Sequence, residues 1–157
     1  MKWVLIAVLI GVIMMIARAV SEQYKEKYDF YNNLKTFLNQ FKLNLSFRQE
    51  KILDFLNKTN AKKQFKIFIN SYKKYLETNQ VDFSEIKLLD NEEINQLKMI
   101  ILNIGKLDAK NEINQLETFI VEIDAKLVKA QDDKNKLCPM ILKLSLLFAI
   151  GLAVILI

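Results

Sequence analysis

The sequence contains no histidine, and it has few glycines, prolines and cysteines: three, one and one. Without histidine, it lacks the commonest general base and the commonest metal ligand. The glycines, Gly11, Gly105 and Gly151, are far apart, so no glycine-rich loop can hold a phosphate. Cys138 has no second cysteine for a disulfide or a metal clip within the chain. We therefore expect a protein that is not an enzyme and that uses no cofactor and no metal ion.

Adjacent acidic residues are the remaining candidates for proton or cation chemistry. They occur as Glu92-Glu93 and Asp132-Asp133. Neighbouring residues on a helix point in different directions, so each pair is better explained as solvated surface. No catalytic residue is predicted.

Long apolar runs stand at both ends of the sequence. Residues 3–17 are apolar without interruption, and the run 137–157 contains a single charge, Lys143. Roughly 20 residues of helix cross the hydrocarbon core of a bilayer, and a lysine can extend its long side chain to the headgroups. The sequence predicts transmembrane helices at residues 1–20 and 137–157, with a soluble domain at residues 21–136 between them.

The N-terminal run has a second interpretation. Lys2, the apolar stretch and the triplet Ala17-Arg18-Ala19 follow the order of a cleavable signal peptide. Arg18 and the methionine-rich apolar stretch favour an uncleaved anchor. For the C-terminal run, a buried core helix is disfavoured because residues 144–157 are apolar on every face.

Basic residues near the apolar runs predict the orientation in the membrane. Lysine and arginine gather on the cytoplasmic side of membrane helices. Lys2 alone lies on the outer side, whereas the inner ends of the runs carry Arg18, Lys25, Lys27, Lys35, Lys126, Lys129, Lys134 and Lys136. We expect the domain to be cytoplasmic and both termini to lie outside.

The spacing of apolar residues between the runs predicts helices throughout, because they recur at intervals of three and four. The longest stripe covers residues 24–45 without glycine or proline, and others cover 52–56, 65–76, 94–104 and 113–130. We expect an all-α protein, a helical bundle between two transmembrane helices, in which the two long end helices pair antiparallel.

Particular residues predict where these helices begin and end. Asp90 with Glu93 has the spacing of a capping box. Gly105 can adopt the left-handed conformation that ends a helix, and Asp108 can cap the next one. We expect these two residues to form a structural turn. Since proline costs about 3 kcal/mol or more inside a helix, either the helix kinks at Pro139 or the second membrane helix starts afresh there, and we favour the fresh start.

The charges are divided along the sequence. Residues 35–74 hold ten basic and two acidic residues, a net charge of +8, and residues 77–124 hold four basic and eleven acidic, a net charge of −7. The two halves could neutralise each other, or the basic half could meet an acidic partner or anionic lipid. No nucleic-acid motif accompanies the lysines, so nucleic acid is not expected. The candidate partner-binding residues are Lys62, Lys63, Lys66, Lys73 and Lys74.

Two patches of sequence resemble a known family. "ILNIGKLDAKNEINQLETFI" at residues 101–120 and "AQDDKNKLCPMILKLSLLFAIGLAVILI" at residues 130–157 are similar to the corresponding parts of stage III sporulation protein AB. The family's short turn between its last two soluble helices corresponds here to Ile104-Gly105-Lys106-Leu107-Asp108. "EQYKEKYDFYNNLKTFLNQF" also resembles the family's first helix, whereas Glu112 stands where the family has glutamine.

The resemblance implies a membrane subunit of the channel complex that joins mother cell and forespore during endospore formation. It implies a cytoplasmic domain similar to type II secretion platform proteins. By the same resemblance, the partners are other membrane subunits of the complex and its ATPase, and the location is the mother-cell membrane around the forespore. Homo-oligomerisation is left open. The alternative function is a tail-anchored helical binding protein outside the cytoplasm, made with a signal peptide.

Overall fold

The structure is a computed structural model that describes residues 2–48, 50–105 and 108–156. Over these residues it consists of helices and connecting segments without a strand, which confirms the all-α prediction. A π-helical turn, Asn44–Arg48, follows the first helix directly. The α-helices are α1 (Lys2–Leu43), α2 (Ile52–Lys58), α3 (Lys63–Thr78), α4 (Asn91–Asn103) and α5 (Ala109–Leu156).

The chain forms two compact units. One consists of residues 2–28 and 129–156, and the other of Asp29–Val128. The second unit, here called the bundle, falls inside the predicted soluble domain. The predicted borders of that domain at residues 20 and 137 stay a prediction.

Within the bundle, the two long helices run antiparallel. Lys35 of α1 pairs with Asp124 of α5 at 2.5 Å. Two turns further along α1, Lys42 pairs with Glu117 of α5 at 2.9 Å. The paired residues have rising residue numbers in α1 and falling residue numbers in α5, which is the predicted antiparallel arrangement. Leu34 and Leu38 of α1 and Leu116 of α5 are buried in the core, so apolar burial holds this pair together.

The core of the bundle is rich in aromatic rings. The Phe37 ring of α1 lies with its centroid 5.4 Å from that of Phe55 and 6.1 Å from that of Phe68. The buried face of α3 consists of Phe65, Phe68, Ile69 and Tyr72. This is the face that the three-and-four spacing predicts, and its opposite side is left to polar residues.

The connection between α3 and α4 contributes to the core as well. Asn79 ends α3 in the left-handed conformation, with φ 56°. Phe83 and Ile86 are then fully buried although they belong to no helix. Their burial was not predicted, because a twelve-residue connection has no periodicity from which an inward face could be read.

The start of α4 has the predicted capping box. The Asp90 carboxylate accepts a hydrogen bond from the Glu93 backbone N–H at 2.8 Å, and the Glu93 carboxylate accepts one from the Asp90 N–H at 3.0 Å. Two N–H groups that lack partners within the helix are thereby satisfied.

In the other unit, the apolar parts of α1 and α5 also run antiparallel. The Cys138 thiol donates to the Ser21 carbonyl oxygen at 3.3 Å, and Ser145 Oγ lies 4.0 Å from Met14 Sδ. Lys134 Nζ lies 3.6 Å from the centre of the Tyr28 ring, a cation–π contact.

In the most apolar 18-residue stretches of the two helices, 17% and 11% of the residues are buried. Their apolar side chains are therefore mostly on the outside, unlike those of a soluble core helix.

The prediction that a fresh helix starts at Pro139 is wrong. Pro139 lies inside α5, which continues through it. The proline N has no hydrogen to donate to the carbonyl oxygen of Asn135, so this helical hydrogen bond is missing. Ala130 and Cys138 are buried on the N-terminal side of the proline and Ala149 beyond it, and this packing compensates for the missing hydrogen bond.

Candidate functional site

The candidate binding surface lies on the solvent side of α3. Lys62 is the N-cap residue of this helix, and Lys66 and Lys73 follow at intervals of four and seven. The interval of seven places Lys66 and Lys73 on one face of the helix, and Lys62 precedes its first residue in an extended conformation. We call Lys62, Lys66 and Lys73 the lysine face. Lys62 and Lys66 are exposed and Lys73 is partly exposed, while the aromatic face of α3 packs in the core.

The other two predicted lysines are exposed beside this face. Lys63 begins α3 with a positive φ of 48°. Lys74 contributes to the electrostatic environment of Asp82. Hydrogen bonds from Ser84 hold the pKa of the Asp82 carboxyl below its usual value, and the charge of Lys74 lowers this pKa further. All five lysines therefore lie on one exposed part of the bundle, at or near α3.

The lysine face is not neutralised within the bundle. Over the described residues, no carboxylate lies within ion-pair distance of Lys62, Lys66 or Lys73. The ion pairs between the basic and acidic halves instead connect α1 with α5, at Lys35 and Lys42. Ion pairs within the bundle thus neutralise two lysines of α1, whereas the lysine face remains available to a partner.

The predicted turn follows α4. Gly105 has φ +85°, the left-handed conformation expected of it, directly after Ile104, the C-cap of α4. Asp108 precedes the first residue of α5, its carbonyl oxygen accepts from the Glu112 N–H at 2.9 Å, and its carboxylate accepts from Asn111 Nδ2 at 2.5 Å. Lys106 and Leu107, the middle of the predicted turn, lie outside the described residues.

Glu112 is the residue of this turn that sequence reasoning missed. Its side chain is 3% exposed, and its carboxylate accepts a hydrogen bond from the Gly105 N–H at 2.6 Å. The contact joins the end of α4 to the first turn of α5. An acidic residue in the first turn of a helix is a recognisable signal, because it is favoured by the helix dipole. Its burial could not be predicted from sequence, because it depends on how the chain reverses between α4 and α5.

With this geometry established, comparison with known proteins gives a family. The model of stage III sporulation protein AB matches residues 2–157. The chain belongs to this family. A search of curated proteins and a search of solved structures found no match.

Membership of the stage III sporulation protein AB family makes this a sporulation protein. Its α1 and α5 are long and apolar enough to cross a membrane. The match covers both apolar runs and the bundle, so the family resemblance seen in separate patches extends along essentially the whole chain.

Within the described residues, no group of three or more histidine, cysteine, aspartate or glutamate side chains is placed to hold a metal ion. The absence of an enzymatic activity stays a prediction.

The glycine turn can be tested by stability. Replacing Gly105 with valine should lower the free energy of unfolding by roughly 1–2 kcal/mol, because a β-branched side chain strongly disfavours φ +85°. A Cβ at this position would meet no atom within 4 Å, so the cost comes from the backbone alone. Asp108→Ala should cost about 1 kcal/mol through the loss of the carboxylate at the start of α5.

The measurement is urea unfolding of the full chain in detergent, followed by circular dichroism. Gly105→Asn is the matched control, because asparagine tolerates the left-handed conformation, and its loss should be smaller. Equal stability of Gly105→Val and the unmodified chain would show that the turn does not depend on glycine.

Proposed function

We propose that this protein is a non-enzymatic membrane scaffold: a platform subunit of a secretion-like channel complex used in endospore formation. Its bundle lies in the cytoplasm and docks partner subunits, including an ATPase, and its apolar helices anchor it beside the other membrane subunits. The observation that carries the proposal is the lysine face, which is exposed and lacks ion pairs within the described bundle. Unpaired charge of one sign on a rigid helix attracts and orients an acidic surface.

The docking role predicts a charge-dependent interaction. Changing Lys62, Lys66 and Lys73 to glutamate should reduce recovery of the partner ATPase by at least about tenfold, because like charges then face each other. The unfolding free energy should change little, since these side chains make no ion pair in the described structure. The measurement is affinity purification from spore-forming cells, with the variant's folding checked by circular dichroism.

A matched variant separates the position of the charge from its amount. Changing Lys87, Lys98 and Lys110 to glutamate alters three lysines of the acidic half by the same total charge. This control should recover the partner normally. Undiminished recovery by the folded lysine-face variant would contradict the docking proposal, and a marked fall in its stability would favour packing within the bundle instead.

The cytoplasmic location predicts the outcome of cysteine labelling. With Cys138 replaced by serine and Lys62 by cysteine, the new thiol should be shielded from membrane-impermeant reagents in intact cells and should react after the cells are permeabilised. The reason is the excess of basic residues at the inner ends of both apolar runs. Full labelling in intact cells would reverse the orientation.

The alternative, a signal-peptide-bearing protein outside the cytoplasm, differs in mass. Use of the Ala17-Arg18-Ala19 site would remove the first nineteen residues, which mass spectrometry of the purified protein detects. An intact N-terminus would eliminate this alternative. Specific nucleotide hydrolysis by the purified chain would contradict the non-enzymatic part of the proposal.

A further inference from the structure

A groove opens on the basic half of the bundle, between the end of α1, α2 and the start of α3. Its volume is about 750 Å³, within the range of sites that accept bulky groups. Phe37, Phe55 and Phe65 line it, together with Leu43, the last residue of α1, and Phe47 of the π-helical turn. It is therefore a recess with several aromatic rings in its lining.

The frame of the groove is held by specific bonds. Asn44 is 3% exposed, and its side-chain amide binds Glu50 through both backbone groups, donating to the carbonyl at 3.2 Å and accepting from the N–H at 3.4 Å. The Glu50 carboxylate pairs with Lys58 of α2 at 2.9 Å. These contacts connect the π-helical turn to α2. These bonds stabilise the π-helical turn that contains Phe47. π-Helical turns are often found at functional sites.

Two apolar side chains of the groove are unusually exposed. Phe47 is 81% exposed and Leu43 is 54% exposed, and both line the groove. Aromatic rings at such positions supply a large share of binding energy when a partner covers them. Over the described residues, no hydrogen bond occupies the side-chain amides of Asn33, Gln40 or Asn60, which also line the groove. These amides can bind a partner's backbone.

The net charge of the sequence section that forms the groove favours an acidic occupant, while the two charged lining residues, Glu50 and Lys58, pair with each other. All its lining residues fall in 33–65, almost wholly within the section 35–74 that carries a net charge of +8. Lys62 of the lysine face follows Asn60, a lining residue, by two positions. Apolar recess, free amides and surrounding positive charge together match a segment with one bulky apolar side chain flanked by carboxylates.

We propose that this groove binds an acidic segment of a partner protein, with one aromatic or large aliphatic side chain inserted beside Phe47 and its carboxylates towards the lysine face. The inference rests on the proposed function, because it identifies which part of the partner meets the basic half of the bundle. Phe47 and the groove supply the apolar anchor, and the lysine face supplies orientation and association rate.

The test uses the full chain in nanodiscs of neutral lipid. The probe is a fluorescent synthetic peptide with a single phenylalanine among glutamates and serines, followed by fluorescence anisotropy. We expect saturable binding that weakens about tenfold when the peptide phenylalanine is replaced by alanine, and about tenfold with Phe47→Ala in the protein. Gln40→Trp, which places a large side chain in the groove, should weaken binding similarly.

Val121→Ala is the matched control in the protein. Val121 is 69% exposed but lies in the acidic half, so its truncation should leave peptide binding unchanged. Because Phe47 is exposed, its replacement tests binding without depending on the fold, even if Gln40→Trp perturbs α1. Absence of saturable binding up to about 1 mM peptide, or binding indifferent to both Phe47→Ala and Gln40→Trp, would overturn the inference.

The outcomes also separate this inference from the proposed function. Weakened peptide binding by the lysine-face variant with no effect of Phe47→Ala or Gln40→Trp overturns the groove and leaves docking through charge. Groove-dependent peptide binding with undiminished ATPase recovery by the lysine-face variant overturns that docking proposal and leaves the groove. Phe47-dependent binding of phosphatidylglycerol vesicles, with none of the peptide, would assign the surface to lipid and overturn the inference.

Discussion

Replacing Phe37 with alanine is expected to lower the free energy of unfolding by about 3–5 kcal/mol. The Phe37 side chain is 2% exposed, and its ring lies at the centre of the aromatic core. Besides Phe55 and Phe68, it contacts the rings of Phe41, Phe65 and Tyr72, with centroids 6.2–6.5 Å away. Alanine would leave a cavity bounded by rings from three helices, which cannot all move inward to close it.

Phe47→Ala is the matched comparison, because it makes the same chemical change ten residues further along. Phe47 is largely exposed, so its truncation should change the unfolding free energy by less than about 0.5 kcal/mol. Urea unfolding of both variants in detergent, followed by circular dichroism, measures the difference. Similar losses for the two variants would show that Phe37 does not lie in a packed core.

Raising the pH above 10 is expected to destabilise the bundle through two buried tyrosines. Burial raises the pKa of Tyr31 above its ordinary value, and the neighbouring Glu93 and Asp90 carboxylates raise it further. Burial likewise raises the pKa of Tyr72, with Glu112 adding to the effect. In both cases the phenolate is disfavoured because its charge would be placed in a poorly solvated site near other negative charges.

The direction of the effect follows from proton binding. A tyrosine has a pKa of about 10 in the unfolded chain, so below that pH both states hold the proton and this contribution to stability is fully present. Above it the unfolded state loses the proton while the folded state keeps it, until the pH passes the raised folded pKa. Well above pH 10 each tyrosine should cost about 1.4 kcal/mol per pH unit. Because the unfolded tyrosines are only half ionised at pH 10, we expect a combined loss of about 2 kcal/mol between pH 10 and pH 11.

Phenylalanine variants isolate this contribution from the titration of lysines. Tyr31→Phe combined with Tyr72→Phe should flatten the decline above pH 10. Tyr72→Phe should cost little stability at pH 7, because the Tyr72 hydroxyl is buried without a hydrogen-bond partner among the described residues, whereas Tyr31→Phe also removes a hydroxyl that interacts with the Glu93 carboxylate. An unaltered slope in the double variant would exclude these tyrosines as its cause.

Much of the local structure could be predicted because it depends on residues close in sequence. The capping box of Asp90 and Glu93 and the left-handed Gly105 are such cases, since a backbone conformation or a hydrogen bond within four residues decides each of them. The buried face of α3 follows from helical periodicity in the same way. For the candidate site, periodicity predicted a shared face for Lys62, Lys66 and Lys73; Lys66 and Lys73 lie within α3, whereas Lys62 precedes it in an extended conformation.

Other features depended on residues far apart, and local patterns could not supply them. Local sequence does not distinguish Phe37 from Phe47, but α3 covers the first and the second is exposed on the π-helical turn. The groove exists because Asn44, Glu50 and Lys58 connect α1 to α2. Proline chemistry alone predicted a break at Pro139, whereas packing on both sides of it keeps α5 continuous.

By itself, then, the sequence determined the helical class, the two apolar runs, the antiparallel pairing of the long helices and the division of charge. Tertiary structure decided which lysines are neutralised: Lys35 and Lys42 meet carboxylates of α5, while the lysine face meets none in the described residues. It also decided that Phe83 and Ile86 enter the core and that Glu112 is buried against Gly105. The physical reason is range: helix signals act over three or four residues, whereas burial and ion pairing depend on which segments the fold brings together.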